Sequence, residues 1–195
     1  QSTIPTGPTN PSPADRQAAR NFAIQGIAAD QRSDWSTSLD RFVQAEQLFH
    51  APIHLRFIAR AREHTNPPRL VECAEVWRRL SQEPLAADAP APFRDAVAEA
   101  RRELPRVEAV LGRLRVEGNV ADARVEVDGQ PFSGAPGAPH WVMPGPHRVV
   151  ARRAGAPDFE QTISVAQGAQ QVVMVTFAAP TTTVQGGGPV GVASP

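Results

Sequence analysis

The chain is 195 residues long, room for one ordinary domain or two small ones, and its 20 basic and 20 acidic side chains cancel to zero formal charge, which leaves no overall field to draw it to nucleic acid or an anionic membrane. One cysteine, Cys73, excludes an internal disulfide framework and a multi-thiolate zinc site. No apolar run approaches the ~18 residues of a membrane span. In chain order, residues 1–12 are rich in Pro, Ser, Thr and Gly and lack apolar anchors, so they are expected to form a disordered leader. Their composition is that of a spacer beyond a removed signal peptide, which makes an extracytoplasmic location, periplasm or cell surface, the expectation.

From Pro13 the pattern turns helical. Phe22, Ile24 and Ile27 mark a first helix ending near Asp30, and Ser33 or Asp34 caps a second that carries Trp35, Leu39, Phe42, Val43 and Leu48. Pro52 fits the first turn of a third helix with Leu55, Phe57, Ile58 and Ala61 inward. A fourth follows Asn66-Pro67-Pro68 and carries Leu70, Val71, Ala74, Trp77 and Leu80. After an Ala/Pro-rich linker, Phe93, Val97, Ala100, Leu104, Val107, Leu111 and Leu114 form one apolar stripe on a fifth helix, which Pro105 is expected to kink or split.

An offset of 35 residues maps Phe22 on Phe57, Gly26 on Ala61, Ser38 on Cys73, Phe42 on Trp77 and Ala45 on Leu80. Aromatic falls on aromatic, and mostly small on small, as a stacked helical hairpin requires where its helices cross. Over about residues 14–82 this succession resembles the tetratricopeptide repeat family, with His50 at the usual proline and Leu80 at the last small position. The resemblance implies hairpins whose concave side receives a segment of a partner protein.

After Gly112 the period falls to two. Stretches 114–117, 123–127, 130–132, 141–143, 147–152, 159–165 and 171–177 alternate apolar and polar residues between turn signals such as Asp128-Gly129, Pro144-Gly145 and Gln167-Gly168. Seven short strands read as a small antiparallel sandwich. The Asp128-Gly129 hairpin, followed by Met143-Pro-Gly-Pro-His147, resembles the PEGA domain family over about residues 113–178. Helical repeats followed by such a domain resemble myxobacterial envelope proteins. The fold class expected is therefore α+β in two domains, with a helical domain at 13–112, a β-sandwich at 113–178 and a disordered Pro/Gly/Thr-rich tail at 179–195.

Candidate chemistry is sparse. His50 and His54 have metal-pair spacing, but Pro52 puts a helix boundary between them and no third ligand is evident. Cys73 reads as a small buried hydrophobe, and Glu72, Glu75, Glu99 and Glu103 sit among arginines as an ion-paired face would. No phosphate-cradling, nucleophile-elbow or zincin motif is present. The chain is thus expected to be non-catalytic, with no cofactor and no metal. Arg20, Arg56, Arg60 and Arg62 are candidates to project onto the concave side and recognise carboxylates, the alternative being a salt-bridged surface shared with Asp15, Asp30 and Glu63. Trp141 and His147 are the candidates on the β-domain. The expected function is an extracytoplasmic scaffold or adaptor that holds a protein or peptide segment; the alternative is an envelope polysaccharide-binding module using the β-domain.

Overall fold

Four of the five helices begin at a side-chain cap or a first-turn proline. The structure is a computed structural model describing residues 6–132 and 138–177, which hold five helices and seven strands. The Ser12 hydroxyl accepts from the Asp15 N–H at 3.1 Å and starts α1 (Pro13–Gln31). Asp34 does the same for α2 (Trp35–Leu48), accepting from the Thr37 N–H at 3.2 Å, so of the two candidate caps it is the aspartate that serves. Proline opens α3 (Pro52–His64); α4 (Leu70–Ser81) and α5 (Ala91–Val110) follow. Pro105 lies inside α5 without dividing it. It sits on the exposed side, where the carbonyl left without a donor can turn to water.

Consecutive helices pack on one another, and α3 also touches α5, which gives a short helical repeat-like stack. The residues related by the 35-residue offset fall at its crossings: Gly26, Ala61, Ser38, Cys73, Phe42, Trp77, Ala45 and Leu80 are all buried. Gly26 shows why the position must be small, since a Cβ there would lie 2.7 Å from the Phe42 ring. Phe42 in turn stacks on Phe57 with ring centroids 4.4 Å apart. The inward face of α1 is built of Ala19, Gly26 and Ala29, while Ile24 and Ile27, which mark that helix in the sequence, are 60% and 38% exposed. The first part of the chain is not wholly free. Gly7 is buried against the Glu46 carbonyl, and the Pro8 carbonyl accepts from the His50 N–H at 3.2 Å. Within the expected leader, residues 6–12 thus meet the helical half at these two points; residues 1–5 and the tail at 179–195 lie outside the described residues.

Strands β1 (Gly112–Gly118), β4 (His140–Val142) and β7 (Gln170–Val175) form one sheet in the order β4-β1-β7. The other sheet has the order β3-β2-β5-β6, from β2 (Arg124–Val127), β3 (Gln130–Pro131), β5 (Gly145–Arg152) and β6 (Phe159–Val165). Every pairing is antiparallel except β1 with β7, which is parallel. The turn before β7 explains the exception. Gly168 N–H donates to the Leu111 carbonyl and Ala169 accepts from Arg113, so β7 starts level with the start of β1 and runs beside it. The second core contains Leu114, Val116, Val125, Val127, Val149, Val165, Val173 and Val175. Leu114 thus belongs to this core and not to the stripe of α5, which ends with Leu111 in the helical core. The two cores are distinct, but Trp141 of β4 packs on the helical one.

The Asp128-Gly129 hairpin has φ of 51° and 76° at its central residues, the pair of positive angles that a two-residue turn between right-twisted strands requires. Asp128 also holds the turn from the side. Its carboxylate accepts from the Arg148 N–H at 2.9 Å and meets His147 Nδ1 at 2.7 Å.

Candidate functional site

Three places concentrate polar chemistry, and the first lies inside the fold. Glu46 has no exposed surface, yet its carboxylate meets His50 Nδ1 at 2.6 Å and the Ala51 N–H at 3.2 Å, with His54 Nδ1 at 3.5 Å and Arg79 at 3.4 Å. Burial opposes its charge, but the hydrogen bonds from His50 and His54 outweigh burial and hold the carboxyl below its usual range. On its other side His50 Nε2 meets Glu83 at 2.9 Å. The bond to Glu46 foremost, with help from Glu83 and against the effect of burial, pushes the His50 pKa up to about 9. At neutral pH the ring is therefore an imidazolium donating from both nitrogens, with no lone pair left for a metal. His54 Nδ1 is occupied as well, donating to the Phe49 carbonyl at 3.0 Å. The two histidines form a buried strut at the α2–α3 junction. Cys73, fully buried, has its thiol pushed up to about 12, chiefly by burial, and holds no reactive thiolate at neutral pH.

The second place is a groove of about 200 Å³ running across α1, α3 and α5. Ala23, Phe49, Ala51, Ile53 and Phe93 line it with His54, and Arg16 and Arg20 stand at its edge. Neither arginine has an ion pair among the described residues. The other predicted arginines behave differently. Arg56 pairs with Glu99 at 2.7 Å and Arg60 with Asp30 at 3.7 Å, as a salt-bridged surface would have it. Arg62 does not project onto a groove at all: it is 4% exposed and donates to the Glu72 carbonyl at 3.1 Å, turned between α3 and α4. Of the four, Arg20 alone lines the groove, with no ion pair among the described residues, and Arg16, not among the candidates, lines it too.

The third place is a cleft of about 300 Å³ between α4 and the β-half. It brings Trp141 and His147 together with Val71, Glu72 and Glu75 of α4, and with Asp128, Phe132, His140 and Met143. Within it His147 is fully engaged, Nδ1 with Asp128 and Nε2 with the Met143 carbonyl at 2.6 Å, so its work is to fasten the two turns at this end of the sandwich. Trp141 is half-buried, with the guanidiniums of Arg78 and Arg113 centred 5.7 and 5.1 Å from its ring. His140 tilts against Phe132 at 5.1 Å, and burial lowers its pKa, keeping the ring neutral.

Glu75 is the exception on an otherwise paired face. Glu72 pairs with Arg69 at 2.9 Å, Glu99 with Arg56, Glu103 with Arg106 at 2.7 Å and Glu108 with Arg78 at 2.7 Å. Glu75 is half-buried with no ion pair or hydrogen bond among the described residues. Burial first, and the nearby Glu72 second, raise its pKa above the usual carboxylate range. Among the described residues no set of three His, Cys, Asp or Glu side chains is arranged to hold a metal ion, and no helix is long and apolar enough to cross a membrane. Against known proteins, no family model matches the chain and no curated protein matches it.

Proposed function

We propose that this chain is a non-catalytic, extracytoplasmic adaptor. Its helical half, a tetratricopeptide-like array, captures a carboxylate-bearing segment of a partner protein, and its PEGA-like β-half serves as spacer or second contact surface. The observation that carries this reading is the groove across α1, α3 and α5, apolar along its floor and edged by two arginines that have no ion pair among the described residues. A guanidinium fork matches a carboxylate in shape as well as charge, and an apolar floor supplies the burial that exposed ion pairs lack. Polysaccharide binding through the β-half has less support. That reading needs an open aromatic face, and the Trp141 ring is half-buried with two guanidiniums against it.

The test is fluorescence anisotropy of the full chain with a labelled peptide alternating Leu and Asp. The double variant R16A/R20A should weaken binding by about tenfold to a hundredfold, because two charge-assisted contacts are lost. Its thermal unfolding should stay unchanged, since both side chains are exposed. Equal affinity of variant and parent for the peptide would refute the groove.

A further inference from the structure

We propose that the cleft between α4 and the β-half is a second, separate binding site, which receives an arginine or lysine side chain presented on an extended segment of a partner protein. Its size is the first argument. About 300 Å³ accommodates one long side chain with the backbone beside it, but not a helix. The chemistry of its wall is the second. Val71, Phe132 and Met143 offer apolar and aromatic surface along which an aliphatic stem can lie. The charged groups are unbalanced in one direction. Among the described residues Glu75 lines the cleft with no ion pair or hydrogen bond, whereas Glu72 one turn away is paired with Arg69, and Asp128 at the opposite rim is held by His147 and the Arg148 N–H. Of the cations nearby, Arg78 is committed to Glu108, Arg62 to the Glu72 carbonyl and Arg69 to Glu72, while Arg113 lies against the Trp141 ring.

A half-buried carboxylate with no partner is costly, and an entering cation removes the cost that an anion or a neutral apolar group would increase. Burial first and Glu72 second raise the Glu75 pKa, and the charges of Arg62 and Arg78, neither of them in an ion pair with it, lower it by less. Strand edges are the third argument. Among the described residues β3 pairs only with β2 and β4 only with β1, so both strands lining the cleft keep an outward edge for an extended backbone to join.

The experiment is a two-dimensional NMR titration of the full chain with the blocked tripeptide acetyl-Val-Arg-Val-amide, up to ~5 mM given the weak affinity of a single anchored side chain. Shifts are expected at Glu75, Phe132, His140 and the Trp141 indole. The counterpart carrying citrulline, which keeps the shape of arginine and loses the charge, should bind at least about tenfold more weakly. Glu75→Gln should lose the same factor while its melting temperature holds, and Glu75→Asp should retain most of the affinity. In the parent chain the Glu75 carboxyl pKa should fall on binding, a response that a purely structural residue would not give. Glu72, Asp128, His140, His147, Arg62 and Arg78 face it and are to be followed in the same titration. Equal binding of the citrulline peptide, an unaffected Glu75→Gln, no binding at ~5 mM, or self-association of the chain through the cleft each overturns the proposal. The acidic-peptide affinity at the Arg16 and Arg20 groove is read separately and should not respond to Glu75→Gln, so either site can fail without the other.

Discussion

The helical and β halves use the same ionisable residues in opposite ways. In the helical half charge is taken inside. Glu46 and His50 form a strut beneath the α2–α3 junction, and Arg62 lies between two helices. In the β-half these charges stay on the outer face, Arg148 with Glu160 at 2.6 Å across the strands and Arg152 with Glu126 and Asp158 at 2.9 and 3.0 Å, Glu126 being the one that is largely covered. Helix crossings demand small residues and leave gaps at the junctions that polar groups can fill in a fixed geometry. A two-sheet sandwich fills its interior with valines and instead depends on its turns. Stability should therefore be lost through burial in one half and through backbone conformation in the other.

The largest expected break is Trp77→Ala. The indole is fully buried at the centre of the helical core, and its removal should cost about 3–5 kcal/mol as a large-to-small cavity change. Thermal unfolding followed by helical circular dichroism should show an early transition in that half, while the β-half keeps its own. If both halves shifted together, the contact of Trp141 with the helical core would be coupling them into one unit.

Next in size is Gly129→Val, which reverses the comparison. No atom lies within 4 Å of the Cβ it would add, so the penalty is conformational, the φ of 76° being one that a β-branched residue resists. About 1–3 kcal/mol should be lost from the β-half alone. A register slip is the other escape, and it would turn Val125 and Val127 outward in favour of Arg124 and Glu126. Unfolding curves that changed only in the helical half would show that the turn does not govern the sandwich.

The smallest effect is one of pH. His50 loses its proton near 6.5 in the unfolded chain and near 9 in the fold. Its contribution is therefore complete below pH 6.5 and lost as the pH rises through about 9, lowering helical-half stability by roughly 1–2 kcal/mol once the partial exposure of Glu83 is discounted. Urea unfolding between pH 6 and 9.5 measures the slope, and His50→Gln should flatten it. A slope of the same size in that variant would assign the effect to another group.

Local pattern carried most of the architecture. Caps and apolar spacing place all five helices, and period-two alternation with turn signals places all seven strands to within two residues or so. What stayed hidden was partnership across distance. Nothing in the alternation of residues 170–175 says that their neighbour is residues 113–118, or that the pairing is parallel. Glu46, His50 and His54 do stand at fourfold spacing, but the two histidines read only as a metal-type spacing broken by Pro52, because Glu83, which completes the strut, comes 33 residues after His50. Arg62 looked like Arg56 and Arg60, which are partly exposed, since helical position alone does not fix which arginine is turned inward. Glu75 could not be singled out from Glu72 or Glu99, because only the approach of the β-half makes its surroundings apolar.

The parallel pairing of β1 with β7 sets an order of events during synthesis. β1 is the first strand to leave the ribosome, yet its neighbours β4 and β7 begin 28 and 58 residues after it, at His140 and Gln170 against Gly112. Until then Leu114 and Val116 have no sheet to enter, although the helical half, built from neighbouring hairpins, can already be complete. Anything that recognises nascent extended apolar chain thus meets β1 beside a folded helical stack for the whole time needed to make the rest of the sandwich. Asn119 closes that interval, since its side-chain amide bonds both the N–H and the carbonyl of Phe177, at 2.8 and 2.9 Å, and fastens the end of the last strand beside the end of the first.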